Sequence, residues 1–199
     1  MKKKIRLPNK IVIASFNKGK LVEIKQLFKN TKVNFIEVST FTNISPEENG
    51  KTFTENALIK ARSANKISGL ASIADDSGLC INALNGKPGI LSSRWAGKNN
   101  NFLRAINIIE KKLENEDNKT AYFICALALV LNTNQEFTFV GKTHGSLVFP
   151  PKGKSGFGYD PIFVPNKQIL TFGQMNPEKK DLISHRFKAY KKMKEVFFV

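Results

Sequence analysis

Apolar residues along this chain fall into two patterns, short runs and helical repeats. The short runs predict buried strands at 11–14, 33–38, 70–74, 81–84, 121–132, 136–142 and 162–164. Apolar residues spaced three and four apart predict helices at 21–28, 54–68 and 102–113. A last helix is predicted to open at Asn176, as its N-cap, with Pro177 in its first position. The mixture of strands and helices indicates an α/β protein.

Two adjacent carboxylates end the apolar run at 70–74. Asp75 and Asp76 precede Ser77 and Gly78, so the pattern predicts a strand that stops at a turn. Neighbouring strand residues point to opposite faces, so we expect the two aspartates to have different roles. One could hold a metal or activate water, and the other could bond to the turn. An ordinary surface turn is the alternative interpretation.

A polar turn between the first predicted strand and helix is a candidate anion site. Backbone N–H groups and the helix dipole favour a bound anion at such a junction. Lys20 falls in or near the first helical turn, where a cation is unfavourable unless a phosphate binds there. The P-loop pattern is absent. The alternative is a surface lysine on an ordinary connection.

Further polar clusters lie in loops and on helices. Glu47 and Glu48 lie in a polar loop, either as solvated residues or as oxygen ligands for magnesium. Lys60 shares a helical face with Asn56, and a solvated charge is its alternative interpretation. An aromatic loop at 157–161 suits stacking on a planar ligand, or packing in a turn. The first half of the last helix is predicted to carry Lys180, Ser184, His185 and Arg186.

Composition narrows the class of protein. The 199 residues fit one domain, or one domain with two lobes. A net charge of +16 suggests a polyanionic partner, but the lysines are spread along the whole chain. Cys80 and Cys125 lie in apolar stretches, so we expect reduced core residues of a cytoplasmic protein. The longest apolar run, 122–131, is too short to span a membrane.

An ordered series of motifs covers nearly the whole chain and resembles the inosine triphosphate pyrophosphatase family, the non-canonical purine NTP pyrophosphatases. The motifs are Ser15-x-Asn17-x-x-Lys20, Glu47-Glu48-x-Gly50, Thr52-Phe53-x-Glu55-Asn56-Ala57-x-x-Lys60-Ala61, Ala74-Asp75-Asp76-Ser77-Gly78-Leu79, Gly86-x-Pro88-Gly89-Ile90-x-Ser92-x-Arg94, Phe157-Gly158-Tyr159-Asp160-Pro161 and Ser184-His185-Arg186. Each motif alone is weak, whereas the ordered series is specific.

The resemblance implies a fold and an activity. It implies an elongated α/β domain over residues 1–199, with a central mixed β-sheet, flanking helices and two lobes around a deep cleft, commonly as a homodimer. It implies Mg²⁺-dependent hydrolysis of ITP, dITP and XTP to the monophosphate and pyrophosphate, which cleans the nucleotide pool.

The resemblance also implies a role for each motif residue. Asp76 would be the general base and a magnesium ligand, with Glu47, or alternatively Glu48, as the second acidic ligand. Lys20 and Lys60 would assist catalysis at the phosphates. The triphosphate would be cradled by Ser15, Asn17, Lys20 and Lys60, and Ser77 would contact the substrate. The base pocket would comprise Phe157, Gly158, Tyr159, Asp160, Lys180, His185 and Arg186.

Two other functions compete with this interpretation. A basic nucleic-acid-binding protein of similar fold would show no turnover, and the acidic pair argues against it because binding alone needs no carboxylate. A Maf-type pyrophosphatase acting on modified pyrimidines is expected to open with Ser-x-Ser-Pro-Arg-Arg, and this chain has Ser15-Phe-Asn-Lys-Gly-Lys there instead.

Overall fold

The computed structural model describes residues 5–97, 99–132 and 135–198. The strands are β1 (Ile5–Arg6), β2 (Lys10–Ile13), β3 (Asn34–Glu37), β4 (Ser72–Ile81), β5 (Thr120–Asn132), β6 (Gln135–Leu147), β7 (Phe163–Pro165) and β8 (Phe197–Phe198). The α-helices are α1 (Lys18–Leu27), α2 (Phe53–Ser68), α3 (Ser92–Trp95), α4 (Phe102–Lys112), α5 (Pro177–Ile183) and α6 (His185–Val196).

The main sheet is mixed. Within the described residues its six strands lie in the order β3-β2-β4-β5-β6-β7. The strand β2 is parallel to both β3 and β4, whereas β6 and β7 are antiparallel. Helix α1 connects the parallel strands β2 and β3, as a parallel pair requires a crossover. The predicted α/β class with a central mixed sheet and helices is confirmed.

The chain forms two compact units. The first contains the chain up to Asp76, Cys125–Gly141 and the chain from Arg186 onwards. The second contains Ser77–Ile124 and Lys142–His185. Strands β4, β5 and β6 each contribute residues to both units. The description as a single domain over 1–199 with a deep cleft stays a prediction.

The first unit has two apolar clusters. Side chains on β2 point alternately to the two faces of the sheet, so neighbouring residues of β2 belong to different clusters. Ile11 and Ile13 pack with α1 and α6, in a cluster that includes Leu21, Ile24 and Met193. The next residue along, Val12, packs in a second cluster with the alanine face of α2, which comprises Ala57, Ala61 and Ala64. Gly69 caps α2 in the left-handed conformation with φ 68°, as its position after the helix predicted.

The second unit has its own core. Its members come from β4, α4, β5, β6 and the region around β7: Leu79, Ile81, Ala105, Ile106, Ile109, Phe123, Leu147, Phe163 and Phe172. The rings of Phe123, Phe163 and Phe172 pack together: Phe163 and Phe172 lie at centroid distances of 4.8 and 6.0 Å from Phe123, and 5.3 Å from each other. The helix predicted at 102–113 supplies three of these core residues.

The prediction of a turn after Asp76 is wrong. Strand β4 continues through Ser77 and Gly78 to Ile81. Leu79 and Ile81 are fully buried, so the apolar pattern that resumes after Gly78 keeps the backbone extended along β5. The predicted strand at 81–84 is also wrong beyond its first residue, because Asn82–Leu84 forms a 3₁₀ helix that ends at Asn85 with φ 51°.

The single helix predicted after Asn176 is two helices. Ser184 separates α5 from α6 with an extended backbone, φ −67° and ψ 156°. Its hydroxyl donates to the Asp181 carbonyl at 3.4 Å, and the Ile183 carbonyl accepts from the Thr143 hydroxyl at 2.8 Å. Side-chain bonds to these carbonyls replace helical hydrogen bonds and end α5. Asn176 caps α5 as predicted, accepting from the Glu178 N–H.

Strand β6 extends beyond the predicted 136–142 and ends at Leu147. Its buried residues Thr143, Gly145 and Leu147 alternate with exposed ones, which is the pattern of a strand with one covered face. Residues 133 and 134, in the predicted link between the two long strands, lie outside the described residues. Both cysteines are free and buried, as expected. In the described part of the chain, no helix combines the length and apolar character needed to cross a membrane.

Candidate active site

Asp75 is the centre of a buried charge cluster in the first unit. Its Oδ2 atom lies 3.2 Å from the Lys20 ammonium and accepts from Arg186 at 3.0 Å. Arg186 also forms an ion pair with Glu23 of α1. Arg186 is 1% exposed, and burial lowers its pKa to about 10, so it remains charged at neutral pH. Its two carboxylate partners compensate the charge.

Asp76 has a different set of partners. Its Oδ1 atom accepts from Lys60 at 3.1 Å, and its Oδ2 atom accepts from Asn56 at 3.4 Å. Burial raises the pKa of Asp76, and the attraction of Lys60 opposes this effect. Burial alone would lower the pKa of Lys60, but the carboxylates of Asp76 and Glu48 outweigh it and raise that pKa. The ammonium and carboxylate therefore stabilise each other's charged form.

Glu48, and not Glu47, faces this pair. The Glu48 Oε1 atom lies 3.2 Å from the Lys60 nitrogen, and the residue is half-buried. Glu47 is exposed. The structure thus brings two carboxylates, Glu48 and Asp76, to one ammonium group. Of the two alternatives kept open by the sequence, this geometry favours Glu48 as the second acidic ligand.

The predicted anion turn lies at the N-terminus of α1. The Asn17 side chain accepts from the Lys20 N–H at 3.1 Å and caps the helix, and the Ser15 hydroxyl accepts from the Asn17 N–H at 3.2 Å. Lys20 is in the first turn, as predicted, and its ammonium reaches Asp75. Roles for Ser15, Asn17 and Lys20 in binding phosphate stay predictions.

Part of the predicted base pocket forms a compact group in the second unit. Asp160, which is 3% exposed, accepts from Lys180 at 2.6 Å and from the Phe157 N–H at 2.8 Å. The Lys180 ammonium lies 5.2 Å from the centre of the Phe157 ring. Burial raises the pKa of Asp160 and Lys180 opposes this, so the ion pair offsets the cost of burying the carboxylate. Lys180 also fixes the position of the loop before β7.

The remaining predicted pocket residues of the second unit are close to core aromatics. Tyr159 is buried, its hydroxyl donates to the Ser92 carbonyl at 2.8 Å, and its ring packs edge-on against Phe102. His185 stacks on Phe123 at 4.9 Å. Gly158 has φ +68°, a backbone conformation that favours glycine. Ser77 is half-buried on β4. Contacts of these residues with a substrate stay predictions.

The predicted site residues therefore divide between the units. The first unit holds Ser15, Asn17, Lys20, Glu47, Glu48, Lys60, Asp75, Asp76 and Arg186, and the second holds Ser77, Phe157, Gly158, Tyr159, Asp160, Lys180 and His185. The first set is rich in lysines and carboxylates, which suits a metal and phosphates. The second is an aromatic and amphipathic set, which suits a planar base. The predicted base contact of Arg186 stays a prediction, although its partners Asp75 and Glu23 belong to the first unit.

Sequence reasoning missed several residues that organise these groups. Nothing in the sequence around Glu23 indicates its contact with Arg186, because the two residues are 163 positions apart. Gly156 has φ +73°, and a Cβ there would overlap the Asp160 carboxylate. Asn56 was assigned only to the helical face of Lys60, yet it contacts Asp76 directly. The available signal for Asn56 was its position four residues before Lys60, on the same face of the helix.

Comparison with known proteins gives consistent results. The Ham1 family profile matches residues 11–196. A dITP/XTP pyrophosphatase from Caulobacter vibrioides is 44% identical over 191 residues, covering 95% of this chain and 98% of the relative.

Solved structures agree with the sequence matches. A HAM1 protein from Coxiella burnetii superposes with a TM-score of 0.85 at 43% identity, covering 95% of this chain and 98% of that one. The Ham1 protein of Staphylococcus aureus gives 0.84 at 38% identity, covering 94% and 96%. The matches span both units. The chain therefore belongs to the Ham1 family.

Proposed function

We propose that this protein hydrolyses non-canonical purine nucleoside triphosphates, dITP, XTP and ITP, to the monophosphate and pyrophosphate. The observation that carries the proposal is the Lys60 ammonium held 3.1 Å from Asp76 and 3.2 Å from Glu48, with Lys20 on the neighbouring Asp75. Carboxylates and lysines at such close range suit phosphoryl transfer, which needs positioned charge more than covalent chemistry. Relatives about 40% identical bear the name dITP/XTP pyrophosphatase.

A divalent metal, Mg²⁺, fits the carboxylates of the first unit. Asp76 and Glu48 both face one cationic group, and Mg²⁺ prefers one or two carboxylates with water and substrate phosphates. Among the described residues there is no group of three His, Cys, Asp or Glu side chains that could hold a metal. When bound, the ion would neutralise phosphate charge.

The chain's own residues would then perform the reaction. Asp76 accepts a proton from a water molecule, whose oxygen attacks the α-phosphorus of the nucleotide. The bond from this phosphorus to the bridging oxygen breaks, and pyrophosphate leaves with the electron pair. Lys20 and Lys60 bind the phosphate oxygens and stabilise the charge on the leaving group.

Deaminated purines present a keto oxygen, which accepts hydrogen bonds where the amino group of adenine donates them.

Pyrophosphate release from dITP, XTP, ITP, GTP and ATP tests the reaction and the selectivity together. We expect Mg²⁺-dependent release from the first three, slow release from GTP and ATP, and none with a chelator. Equal rates on all five would refute the selectivity and keep the reaction. No release from any would refute the proposed function.

Lys180→Met is expected to lower the selectivity for dITP over dATP by about 10- to 100-fold, the value of a lost charged hydrogen bond. An ammonium only donates, so it favours a keto group over an amino group. Lys179→Met is the matched control, since Lys179 is the exposed neighbour. The ratio of kcat/KM values for the two nucleotides is measured, because it does not depend on the fraction of folded enzyme. An unchanged ratio would exclude Lys180 from base selection.

Two further features belong to the proposal. We expect a cytoplasmic enzyme, since its two buried free thiols suit a reducing compartment. We expect a homodimer, following the family resemblance, and light scattering after gel filtration measures its mass. None of the relatives named above is described as a nucleic-acid-binding protein, so the comparisons do not favour that alternative.

A further inference from the structure

Asn56 connects two parts of the first unit that bear carboxylates. Its side-chain N–H₂ donates to the Asp76 Oδ2 atom at 3.4 Å, and its side-chain oxygen accepts from the Gly50 N–H at 2.9 Å. Asn56 is 1% exposed. One buried amide therefore bonds to the strand residue Asp76 and to the loop that carries Glu48.

The orientation of this amide follows from its two partners. A backbone N–H can only donate, so the amide oxygen must face Gly50, and the N–H₂ group then faces Asp76. An ionised carboxylate can only accept, which completes the match. Neither an aspartate nor an alanine at position 56 would satisfy both partners.

Gly50 approaches Asn56 too closely for any other residue. A Cβ at Gly50 would lie 2.6 Å from the Asn56 Oδ1 atom, 2.7 Å from Glu55 Cβ and 3.0 Å from the Asn56 backbone nitrogen. The following residue, Lys51, donates its N–H to Glu55 at 2.5 Å. The hydrogen bonds of Gly50 and Lys51 hold the loop against the first turn of α2, and Gly50 lies only two residues after Glu48.

We infer that Asn56 is a positioning residue, which holds the Glu48 loop and Asp76 together so that both carboxylates face one divalent cation. The inference rests on the proposed function for the identity of that cation as a catalytic metal. Glu48 lies in a loop without helix or strand, so its position depends on the anchor at Gly50. The N–H₂ group of Asn56 donates the hydrogen bond to the Oδ2 atom of Asp76 and so holds that side of the carboxylate.

Removing the hydrogen bonds of the Asn56 side chain should reduce the affinity for the metal more than it reduces the stability of the folded protein. Partners that orient metal ligands typically change metal affinity about 10- to 100-fold when mutated. We expect Asn56→Ala to raise the dissociation constant for a divalent metal by this factor. We expect Gly50→Ala to have an effect in the same direction, because its methyl group pushes the loop away from an intact Asn56.

Electron paramagnetic resonance of free Mn²⁺, with inorganic pyrophosphate present, measures metal binding without turnover, and a titration without protein gives the Mn²⁺ that pyrophosphate binds by itself. The variants are Asn56→Ala, Gly50→Ala and the double variant, whose effects should not add because both break one contact. Asn65→Ala is the matched control: it lies on the same helix and loses an amide hydrogen bond to the Leu70 carbonyl at 2.8 Å. Thermal unfolding checks that each variant is folded.

The outcomes separate the inference from the proposed function. Folded Asn56→Ala with wild-type Mn²⁺ affinity, an equal loss in Asn65→Ala, or fully additive effects would overturn the inference. Wild-type protein that binds no Mn²⁺ under these conditions would overturn it too. Wild-type protein that binds Mn²⁺ but releases no pyrophosphate from dITP would refute the proposed function, while the positioning role of Asn56 would still stand on the binding data.

Discussion

Asp76→Asn is expected to lower kcat for dITP by about 100- to 10,000-fold, the usual contribution of a positioned general base. The amide keeps the size of the side chain, and its one oxygen can accept from Lys60 or from Asn56 but not from both, because its N–H₂ group only donates. It cannot accept a proton from water, and it is a poorer ligand for a divalent cation. The loss should therefore fall on turnover while the protein stays folded.

Single-turnover and steady-state pyrophosphate release measure this effect, with far-UV circular dichroism as the check of the fold. Asp117→Asn is the matched control, because Asp117 is exposed in the loop after α4. It should retain wild-type activity. An Asp76→Asn enzyme with nearly normal kcat would refute the assignment of Asp76 as the general base. Asp75 and Glu48 would then be the candidates for that role.

Local patterns in the sequence were sufficient to predict α1, α2 and α4. The helix predicted at 54–68 agrees with α2 to within one residue, because the alanine face and Gly69 lie within one segment. The N-terminus of α1 at Asn17 follows from the polar turn in the same way. Such signals are predictable because the contacts that fix them span only a few residues.

Errors arose where distant residues decide the local structure. Ser77 and Gly78 have turn chemistry, but β4 stays extended because Leu79 and Ile81 enter a core built by α4 and β5. Ser184 interrupts a helical sequence, and the hydroxyl that bonds to the Ile183 carbonyl belongs to Thr143, 40 positions earlier. Neither partner can be identified from local periodicity.

The candidate site, too, could be predicted only in part from the sequence. The ordered motifs pointed to Lys20, Lys60 and Asp76, and the structure places these side chains in one charge cluster together with Asp75. The choice between Glu47 and Glu48 could not be made from the sequence, because a loop has no periodicity to say which side chain faces inwards. It is the Gly50–Asn56 bond that orients this loop.

Arg186→Leu is expected to destabilise the protein by roughly 3–5 kcal/mol, the usual cost of removing one partner of a buried ion pair. Leucine fills part of the space but removes the guanidinium that both the Asp75 and the Glu23 carboxylates contact. Lys20 remains 3.2 Å from Asp75. Arg186 lies at the start of α6, whose residues Ala189, Tyr190 and Met193 belong to the same core as α1. The loss should therefore appear in unfolding of the first unit.

Urea unfolding followed by fluorescence and circular dichroism measures the free energy of unfolding for this variant. The matched control is Arg62→Leu, which breaks the exposed pair with Glu136 and should cost no more than about 1 kcal/mol. If Arg186→Leu does not fold, Arg186→Lys keeps the charge but loses the forked contact with two carboxylates, and should show a smaller loss. In a Glu23→Gln background Arg186→Leu should cost less, because one of the two carboxylate partners of Arg186 is then already neutral. A cost equal to that of Arg62→Leu would contradict the prediction, because the buried cluster would then contribute no more to stability than an exposed ion pair does.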